Sequence, residues 1–345
     1  MGQMSFFDVD DRLKSLSRMG DPLEGLNALI RWERFRPLLE RVREKERKSN
    51  AGRKPFDGVL MFKVLVLQSL YHLADAQLEF QIRDRLSFMR FLGLGVEDRV
   101  PDATTVWRFR EDLKELGLME SLFHRFGSQL EAEGYQARSG QIVDATIVRA
   151  PIQRNSREDN RRIKDGEVPQ DWSEAKRPQK DVQARWRKKH GKSHYGYKNP
   201  INVDAEHKWM RDYALTPANL HDSRVFDALI DPDNADPEVW ADSAYRSEET
   251  EAVLAQAGYV SHIQEKGQAG KPLSDEQHRR NRQRSRIRAR VEPVFGFQEN
   301  SLGGKRVRTL GLARARMKIG LMNLAYNLRR YVHLCRRGGR VPAAT

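Results

Sequence analysis

The sequence predicts an α+β or α/β protein, in which an N-terminal helical domain precedes a mixed-sheet domain. Three observations predict this fold class. Apolar residues keep helical spacing through residues 1–136, short runs rich in β-branched residues follow, and helical patterns return near the C-terminus. We expect the second domain to occupy residues 137–337, with a charged insertion at about residues 152–196 and a frayed tail at residues 338–345.

The first domain contains several amphipathic helices. Leu23, Leu26 and Ile30 keep the spacing of one helical face, and residues 49–58 are a break rich in turn-forming residues. The segment "VLMFKVLVLQSLYHLA" (residues 59–74) is apolar, but it is too short and too polar to span a bilayer. It therefore predicts a buried helix.

Two further helices are predicted in residues 100–134. Asp102 or Thr104 is expected to cap the helix that carries Trp107 and Arg108. Short helices with exposed arginines are units that dock on DNA. A helical packing domain with solvated charges explains the same pattern, so both interpretations remain open for this region.

Several motifs in the second domain predict strands. "GQIVDATIVRAP" (residues 140–151) is rich in β-branched residues, and "NPINVDAEHKWMRDYALTPAN" (residues 199–219) indicates two strands about a turn. Val239–Ala241 and the centre of "AGYVSHIQEKG" (residues 257–267) predict two more short strands. The insertion is dense in charge and poor in aliphatic residues, which indicates a mobile or partly helical surface segment.

Helices are predicted again after the last strand. Ser274 and Gln277 fit a capping box at the start of one helix, and residues 312–337 form a long amphipathic one. The first of these helices carries an unusual density of one residue type. Its arginines are Arg279, Arg280, Arg282, Arg284, Arg286, Arg288 and Arg290.

The composition favours a polyanionic partner. Lys and Arg number 62 against 48 Asp and Glu, a net charge of +14, and the sequence pI is near 9.9. Cys335 is the one cysteine, which excludes a disulfide framework within the chain and a cysteine-based zinc site. The N-terminal residues show no secretory signal. We therefore expect a cytoplasmic protein whose partner is an acidic polymer, most commonly nucleic acid, and not a membrane.

Three carboxylates have informative positions. Asp144 lies in an otherwise apolar strand, where an unpaired carboxylate would cost several kcal/mol, so it must meet a cation, hydrogen bonds or solvent. Asp242 lies at a strand end, and Glu292 follows the arginine run. Three such acids can converge on two Mg²⁺ ions. A cap or turn role for the aspartates, and an i, i+4 salt bridge from Arg288 to Glu292, remain alternatives.

Four motifs in this order resemble those of a known enzyme family: "GQIVDATIVRAP", "TPANLHDS", "VWADSAYRSEE" and "RARVEPVFGF". They are similar to the catalytic-domain motifs of bacterial insertion-sequence transposases of the DDE type, most like the IS-five branch. "PDATTVWRFREDL" resembles the end of that family's N-terminal helical region, so the resemblance covers about residues 23–331.

The resemblance implies a ribonuclease-H-like catalytic domain that cleaves DNA and transfers strands with Mg²⁺, or Mn²⁺ in its place. It places the three catalytic, metal-binding acids on Asp144, Asp242 and Glu292, and the family's arginine on Arg288. It also implies a bacterial, nucleoid-associated protein that binds double-stranded DNA. The protein would assemble as a homo-oligomer on the terminal inverted repeats and target DNA.

The sequence departs from the family pattern around the glutamate. Ser285 stands where the family often has tyrosine, and Glu299 stands where it often has lysine, a role that Lys305 or Arg306 can serve. Pro293 directly follows Glu292 and is expected to kink the helix there.

Other residues are candidates for DNA contacts or for assisting the site. The residues expected to contact DNA are Arg284, Arg286, Arg288, Arg108, Lys305 and Arg306. Lys198 and Tyr195 in "HYGYKN" either contact DNA through charge and stacking or belong to an edge strand without that role. His221 and Asp222 match the family's "HD" and either assist the metal site or form a turn that caps a helix.

Trp186 lies in the charged insertion. It either stacks on a flipped or terminal base or anchors the insertion on its own domain.

We expect the chain to be a transposase. Three alternatives remain open from the sequence: a nuclease of the same fold that cuts without joining, a DNA-binding derivative without activity, and a glycosidase with paired carboxylates. The glycosidase is the weakest, because its site would need aromatic sugar platforms and little positive charge.

Overall fold

The structure, a computed structural model, describes residues 8–44, 54–135, 139–189, 191–268 and 270–338. The chain forms two compact units, Met1–Phe126 with Leu324–Thr345, and Gly127–Asn323. The predicted boundary at residue 136 and most of the predicted tail lie outside the described residues. The assignment of separate roles to residues 1–136 and 137–337 stays a prediction.

The first unit is helical. Its helices, with α8 continuing into the second unit, are α1 (Asp8–Arg18), α2 (Pro22–Leu29), α3 (Arg36–Glu40), α4 (Gly58–Leu70), α5 (Asp75–Asp84), α6 (Leu86–Leu92), α7 (Ala103–Glu115) and α8 (Leu118–Ala132). The predicted cap of α7 is confirmed, since the Asp102 carboxylate accepts from the Thr105 amide at 2.7 Å. Helix α4 is the buried helix that the apolar segment predicts.

Helix α4 is buried on almost all sides because it carries apolar residues around its whole circumference. Phe62, Val64 and Leu65 are completely buried in it. In the described part of the chain, no single helix is long and apolar enough to cross a membrane. Helices α4 and α5 reach the required length and composition only as a pair that is bent by 105°.

The second unit contains one mixed sheet of seven strands. They are β1 (Gln141–Arg149), β2 (Arg185–Lys189), β3 (Lys192–Asp204), β4 (Met210–Tyr213), β5 (Thr216–Pro217), β6 (Glu238–Ala241) and β7 (Val260–Ile263). The order is β2-β3-β1-β6-β7, with β4 and β5 also paired to β3. Strands β1 and β3 are antiparallel, whereas β1, β6 and β7 run parallel. The predicted helical region followed by a mixed sheet is confirmed.

Helices accompany the sheet. They are α9 (Arg157–Lys164), α10 (Phe226–Leu229), α11 (Glu248–Gln256), α12 (Asp275–Arg288), α13 (Glu292–Ser301) and α14 (Leu312–Arg337), the last of which continues into the first unit. Buried residues of β1, β6 and β7 pack against α10 and α11, and Val143, Phe226 and Leu254 are among them. The capping box of Ser274 and Gln277 begins α12, as the sequence predicts.

Strand β1 is longer than its parallel neighbour. Only Gln141–Val143 pairs with β6, while the whole of β1 pairs with β3. The second half of β1 therefore continues past the end of β6 together with β3 and β2. We call this extension, residues 145–149 with β2 and residues 192–199, the strand arm.

The charged insertion is more ordered in its second half than the sequence predicts. It contains α9, as expected of a partly helical segment, but β2 and the start of β3 also fall within residues 152–196. Strand β2 reads "RWRKK", whose charges hide the strand pattern; such charges are typical of edge strands, where they discourage further pairing. Buried Ile163 and Trp172 anchor the insertion.

Gly196 allows β1 and β3 to approach closely in the strand arm. Its φ is +150°, and a Cβ at this position would lie 2.2 Å from the Val148 carbonyl oxygen. Because no side chain fits there, the arm depends on glycine at this position.

Candidate active site

Asp144 lies in the middle of β1, at the point where β6 ends. Its residue is 7% exposed, and its carboxylate accepts from the Ala145 amide at 2.8 Å and from the Arg288 guanidinium. Burial raises the pKa of Asp144 to about 6, against the opposing effect of Arg288. We expected this buried acid to meet a cation, hydrogen bonds or solvent, and the structure shows that it meets a cation, Arg288.

Asp242 directly follows β6. Val143 pairs with Ala241 in the parallel register, so Asp144 and Asp242 are the next residues of two adjacent strands. The Asp242 carboxylate accepts from the Ala244 amide at 2.7 Å, which begins the turn after the strand. Asp242 and Glu292 both act on the Asp144 carboxylate by charge repulsion. Asp242 therefore has the turn role that the sequence left open, and it also lies next to Asp144 at the end of the adjacent strand.

Helix α12 carries one row of arginines that docks against the carboxyl ends of the strands. Arg280 contacts Glu265 at 2.8 Å, Arg284 donates to the Ile263 carbonyl at 2.9 Å, and Arg288 reaches Asp144. These residues are four apart, so they lie on one face of the helix. Ser285, on the same side, accepts from Gln264 at 2.5 Å. The docked row fixes the helix that leads to Glu292.

The other arginines of α12 point to solvent. Arg279, Arg282 and Arg286 are exposed and spaced three and four residues apart, so they form a second row. We call these three residues the exposed arginine row. The arginines that look alike in the sequence therefore form two rows. The docked row, Arg280, Arg284 and Arg288, positions the helix, and the exposed arginine row leaves positive charge on the surface.

Glu292 begins α13 after a single 3₁₀ turn, Ala289–Val291. Its side chain is 61% exposed and lies 3.9 Å from the Arg288 guanidinium, the i, i+4 contact that the sequence left open. Pro293 occupies the first turn of α13, where a proline costs no helical hydrogen bond. The expected kink inside a helix is therefore replaced by a helix boundary, which sets the direction of Glu292.

The three acids have the donor chemistry of a divalent-metal site. Carboxylate oxygens are the ligands that Mg²⁺ prefers, and Arg288 already supplies positive charge between Asp144 and Glu292. In the described ranges, however, no three His, Cys, Asp or Glu side chains are grouped closely enough to hold a metal ion. The donors therefore fit a hard cation in kind, while the Arg288 guanidinium contacts Asp144 and Glu292 in this structure.

Lys198, Asp222 and His221 form a neighbouring group. The Lys198 ammonium is buried and donates to the Asp222 carboxylate and the Leu220 carbonyl. His221 caps the following turn, where its Nδ1 contacts the Ser223 hydroxyl at 2.8 Å. Lys198, which the sequence assigned to DNA contact, is thus paired with Asp222, which the sequence assigned to the metal site or a turn. The Lys198 ammonium lies inside the protein.

The basic residues after α13 lie at the strand arm. Lys305 and Arg306 are exposed, and Lys305 lies 3.3 Å from Glu299. Glu299 also accepts from the Thr146 hydroxyl at 3.3 Å. Lys305 therefore neutralises the acid that stands where the family often has a lysine.

Arg108 is exposed on α7, in the helical unit. It lines a cleft of about 600 Å³ together with Arg43, Lys54 and Arg99. The Arg99 guanidinium lies 4.1 Å from the centre of the Phe56 ring in this cleft. The sequence singled out Arg108 but not the other three cations.

Tyr245 is a residue at the site that the sequence interpretation missed. It is 1% exposed, and its hydroxyl has no hydrogen-bond partner among the residues that the structure describes. Burial and the charges of Asp222, Asp144 and Asp242 raise the pKa of this phenol. Its place in "VWADSAYRSEE", three residues after Asp242, is the signal that could have identified it.

Glu265 was missed as well, although it determines the position of α12. Its carboxylate forms ion pairs with Arg280 at 2.8 Å and Arg284 at 3.3 Å. Its backbone carbonyl accepts a hydrogen bond from the Asn281 side-chain amide at 3.0 Å. Arg280 lowers the pKa of Glu265 to about 2. An acid two residues after the last short strand, followed by an arginine-rich helix, is the available sequence signal.

Two family models match the chain. The transposase DDE domain matches residues 135–328, which is more than half of the 345 residues, and a transposase domain (DUF772) matches residues 11–112. A solved structure of a piggyBac transposase synaptic complex with hairpin DNA is similar at 11% identity and a TM-score of 0.44, over 95% of this chain and 78% of that one.

The family match confirms the resemblance to DDE transposases and the ribonuclease-H-like class of the mixed sheet. The IS-five branch stays a prediction. The chain belongs to the transposase DDE-domain family: it is a DNA transposase, an enzyme that cleaves DNA and transfers its strands with divalent metal ions.

Proposed function

We propose that Asp144, Asp242 and Glu292 are the catalytic carboxylates and that they hold two Mg²⁺ ions, which Mn²⁺ can replace. The observation that carries this proposal is the register of β1 and β6, which makes Asp144 and Asp242 neighbours at adjacent strand positions. Arg288 adds support, because it contacts both Asp144 and Glu292. Bound divalent ions would activate the attacking oxygen and stabilise the leaving one.

The proposed substrate is double-stranded DNA at the terminal inverted repeats of an insertion sequence. Water attacks a phosphodiester at the element end, the bond from phosphorus to the 3′-oxygen breaks, and a 3′-hydroxyl is released. That hydroxyl then attacks a phosphodiester of target DNA in line, without a covalent intermediate on the protein. The exposed arginine row binds phosphates beside the carboxylates.

The helical unit is proposed to bind the element ends. Its support is one concave surface that is lined by four cations, Arg43, Lys54, Arg99 and Arg108, against one carboxylate, Asp112. Two copies of the chain would assemble on the DNA, one at each element end. The net charge of +14 supports association with the bacterial nucleoid.

The test uses DNA that carries the element ends, with Mg²⁺ and then with EDTA. Asp144→Asn, Asp242→Asn and Glu292→Gln should each abolish cleavage on a denaturing gel and leave DNA affinity within about two-fold, because each change removes a metal ligand and no phosphate contact. Asp227→Asn, an exposed acid of the same unit, is the matched control. Retained cleavage in a triad variant refutes the assignment.

A second assay separates transposition from simple cleavage. A pre-cut end with a free 3′-hydroxyl is incubated with a supercoiled target plasmid, and joined products are measured. Joining that needs the same three carboxylates supports the proposed strand transfer. Cleavage of uncut ends without any joining would indicate a nuclease.

A further inference from the structure

A basic cleft lies on the strand arm, about five residues along β1 from Asp144. Its volume is about 610 Å³, and it is lined by β1, β2, β3 and the segment after α13. Strand residues rise about 3.3 Å each, so Arg149 lies roughly 17 Å from Asp144 along β1. The cleft is therefore separate from the carboxylates, and none of the residues assigned to catalysis lines it.

Part of the cleft lining consists of basic side chains. Arg149, Lys192, Lys305 and Arg306 line it, and no carboxylate is among its described lining residues. All four cations are exposed, and one of them, Lys305, is also paired with Glu299 at 3.3 Å. The backbone holds two of them in place, since the Arg149 amide donates to the Lys305 carbonyl at 3.1 Å. Cations carried on such adjacent segments are complementary to phosphate.

Another part of the cleft lining is aromatic and apolar. Trp186 is 54% exposed and Ile152 is 66% exposed, so the two together give the cleft an apolar surface that solvent reaches. Trp186 stands directly opposite Tyr195 on the neighbouring strand, with ring centroids 5.3 Å apart. Tyr195 is itself fixed, because its hydroxyl donates to the Asp181 carbonyl at 3.1 Å. The indole thus has support on one side and is open on the other.

Anchoring of the insertion does not explain Trp186. The insertion is held by other groups: Trp172 is 2% exposed, and the buried Asp181 carboxylate accepts from the Tyr197 hydroxyl at 2.6 Å and from the Gly311 amide at 3.1 Å. An aromatic residue that is half exposed beside four cations has the composition of a site for single-stranded nucleic acid. In such sites cations hold the backbone and a ring stacks on a base.

We infer that this cleft binds an unpaired nucleotide of the DNA substrate, with the base stacked on Trp186 and the flanking phosphates held by Lys192, Arg149 and Arg306. This inference rests on the proposed DNA function and specifies where a frayed or single-stranded part of the strand goes. Its distance from Asp144 corresponds to about five nucleotides of stacked strand, if each occupies about 3.4 Å.

The test measures binding in EDTA, so it does not depend on catalysis. Fluorescence anisotropy gives the Kd for one duplex with a blunt end and for the same duplex with a five-nucleotide single-stranded extension. The wild-type protein should prefer the extended duplex. Trp186→Ala should weaken binding of the extended duplex about ten-fold and leave the blunt duplex unchanged, because stacking is lost.

Two companion variants test the chemistry. Trp186→Phe should restore most of the preference, because it restores a ring. Arg306→Ala should lower the salt dependence of binding to the extended duplex by about one phosphate contact. Phe80→Ala is the matched control, since Phe80 is a 66% exposed aromatic residue outside the cleft. Thermal unfolding of each variant checks the fold.

The outcomes separate the two proposals. If the wild type binds both DNAs and Trp186→Ala keeps the preference for the extension, the cleft proposal is wrong and the proposed function stands. If the wild type shows no preference for the extension, the cleft proposal is wrong as well. If the wild type binds neither DNA, the proposed function is wrong and the cleft proposal falls with it.

Discussion

Arg288 on α12 forms an ion pair with Asp144 on β1, and the same guanidinium lies 3.9 Å from Glu292. One cation thus contacts two of the three acids. Its Nε is buried and has no hydrogen-bond partner among the described residues. The pair satisfies the charge of a buried carboxylate while leaving one donor of the arginine unused.

Neutralising Asp144 should stabilise the protein above pH 6. Its folded-state pKa is about 6 against an ordinary 3.8, so the folded state binds more protons between these values and stability falls as pH rises through them. Asp144→Asn removes this dependence. At pH 7 the variant should gain at most about 3 kcal/mol in unfolding free energy, measured by urea titration.

The comparison is made at pH 4 and pH 7. At the lower pH the two proteins should have nearly equal stability, because wild-type Asp144 is then protonated as well. Asp227→Asn, on the exposed surface of the same unit, should show no such difference. A variant that is less stable than the wild type at both pH values would contradict the prediction.

Removing Arg288 should shift the pH dependence of cleavage. The guanidinium lowers the pKa of Asp144 against the effect of burial, so Arg288→Ala raises that pKa further. The midpoint of the acid limb of the rate profile should rise by about one to three pH units. Single-turnover cleavage from pH 5 to 9 measures it.

Arg286→Ala is the control for Arg288, because Arg286 is two positions away in the exposed arginine row. It should weaken DNA binding and reduce its salt dependence by about one phosphate, with the pH profile unchanged. An identical pH profile for wild type and Arg288→Ala would show that this pair does not control Asp144.

Glu265 should stabilise the docking of α12. Its folded-state pKa of about 2 lies below the ordinary 4.5, so its contribution is present above pH 4.5 and is lost as pH falls toward 2. Glu265→Gln should cost at most about 3 kcal/mol at neutral pH. Hydrogen exchange of the α12 amides should accelerate in this variant.

Glu276→Gln is a matched control, since Glu276 pairs with the same Arg280 at 3.2 Å but is 70% exposed. Exposed pairs contribute less than about 1 kcal/mol, so α12 should exchange as in the wild type. Equal effects of the two substitutions would mean that Glu265 does not dock the helix.

The buried pair of Lys198 and Asp222 should behave as a unit. Asp222→Asn leaves the Lys198 ammonium buried without its counter-charge, which costs about 3–5 kcal/mol. The double variant Lys198→Met with Asp222→Asn should recover much of this loss, because no charge remains buried. Urea unfolding of the single and double variants gives the coupling energy.

DNA affinity decides between the two roles of Lys198. If the ammonium stays paired inside the protein, Lys198→Met leaves the salt dependence of DNA binding unchanged. A reduction by about one phosphate contact would instead show that Lys198 leaves Asp222 to bind DNA, as the sequence predicts.

The sequence predicts well where local patterns and the final structure agree. The β-branched run around Asp144 and the short run Val239–Ala241 form strands, and Asp102 and Ser274 cap the helices that they precede. Each of these features depends on neighbours within a few residues. The predicted mixed sheet follows from them, although its strand order does not.

Contacts between distant residues account for what the sequence could not predict. Arg280 and Arg286 look alike in a run with an arginine at almost every second position, and only the position of Glu265 makes one docked and the other exposed. Strand β2 was missed because its charged residues are stabilised by pairing with β3 and not by burial. The pairing of Lys198 with Asp222 depends in the same way on the fold of β3.

If the exposed arginine row binds phosphate as proposed, the separation of the two rows on α12 allows the residence time on DNA to be changed without altering the docked row. Changing Arg279, Arg282 or Arg286 to glutamine removes surface charge without touching the row that orients Glu292. Where release from DNA limits turnover, such variants should turn over faster on saturating substrate at low salt. An engineered version of this enzyme would best be altered first along this row.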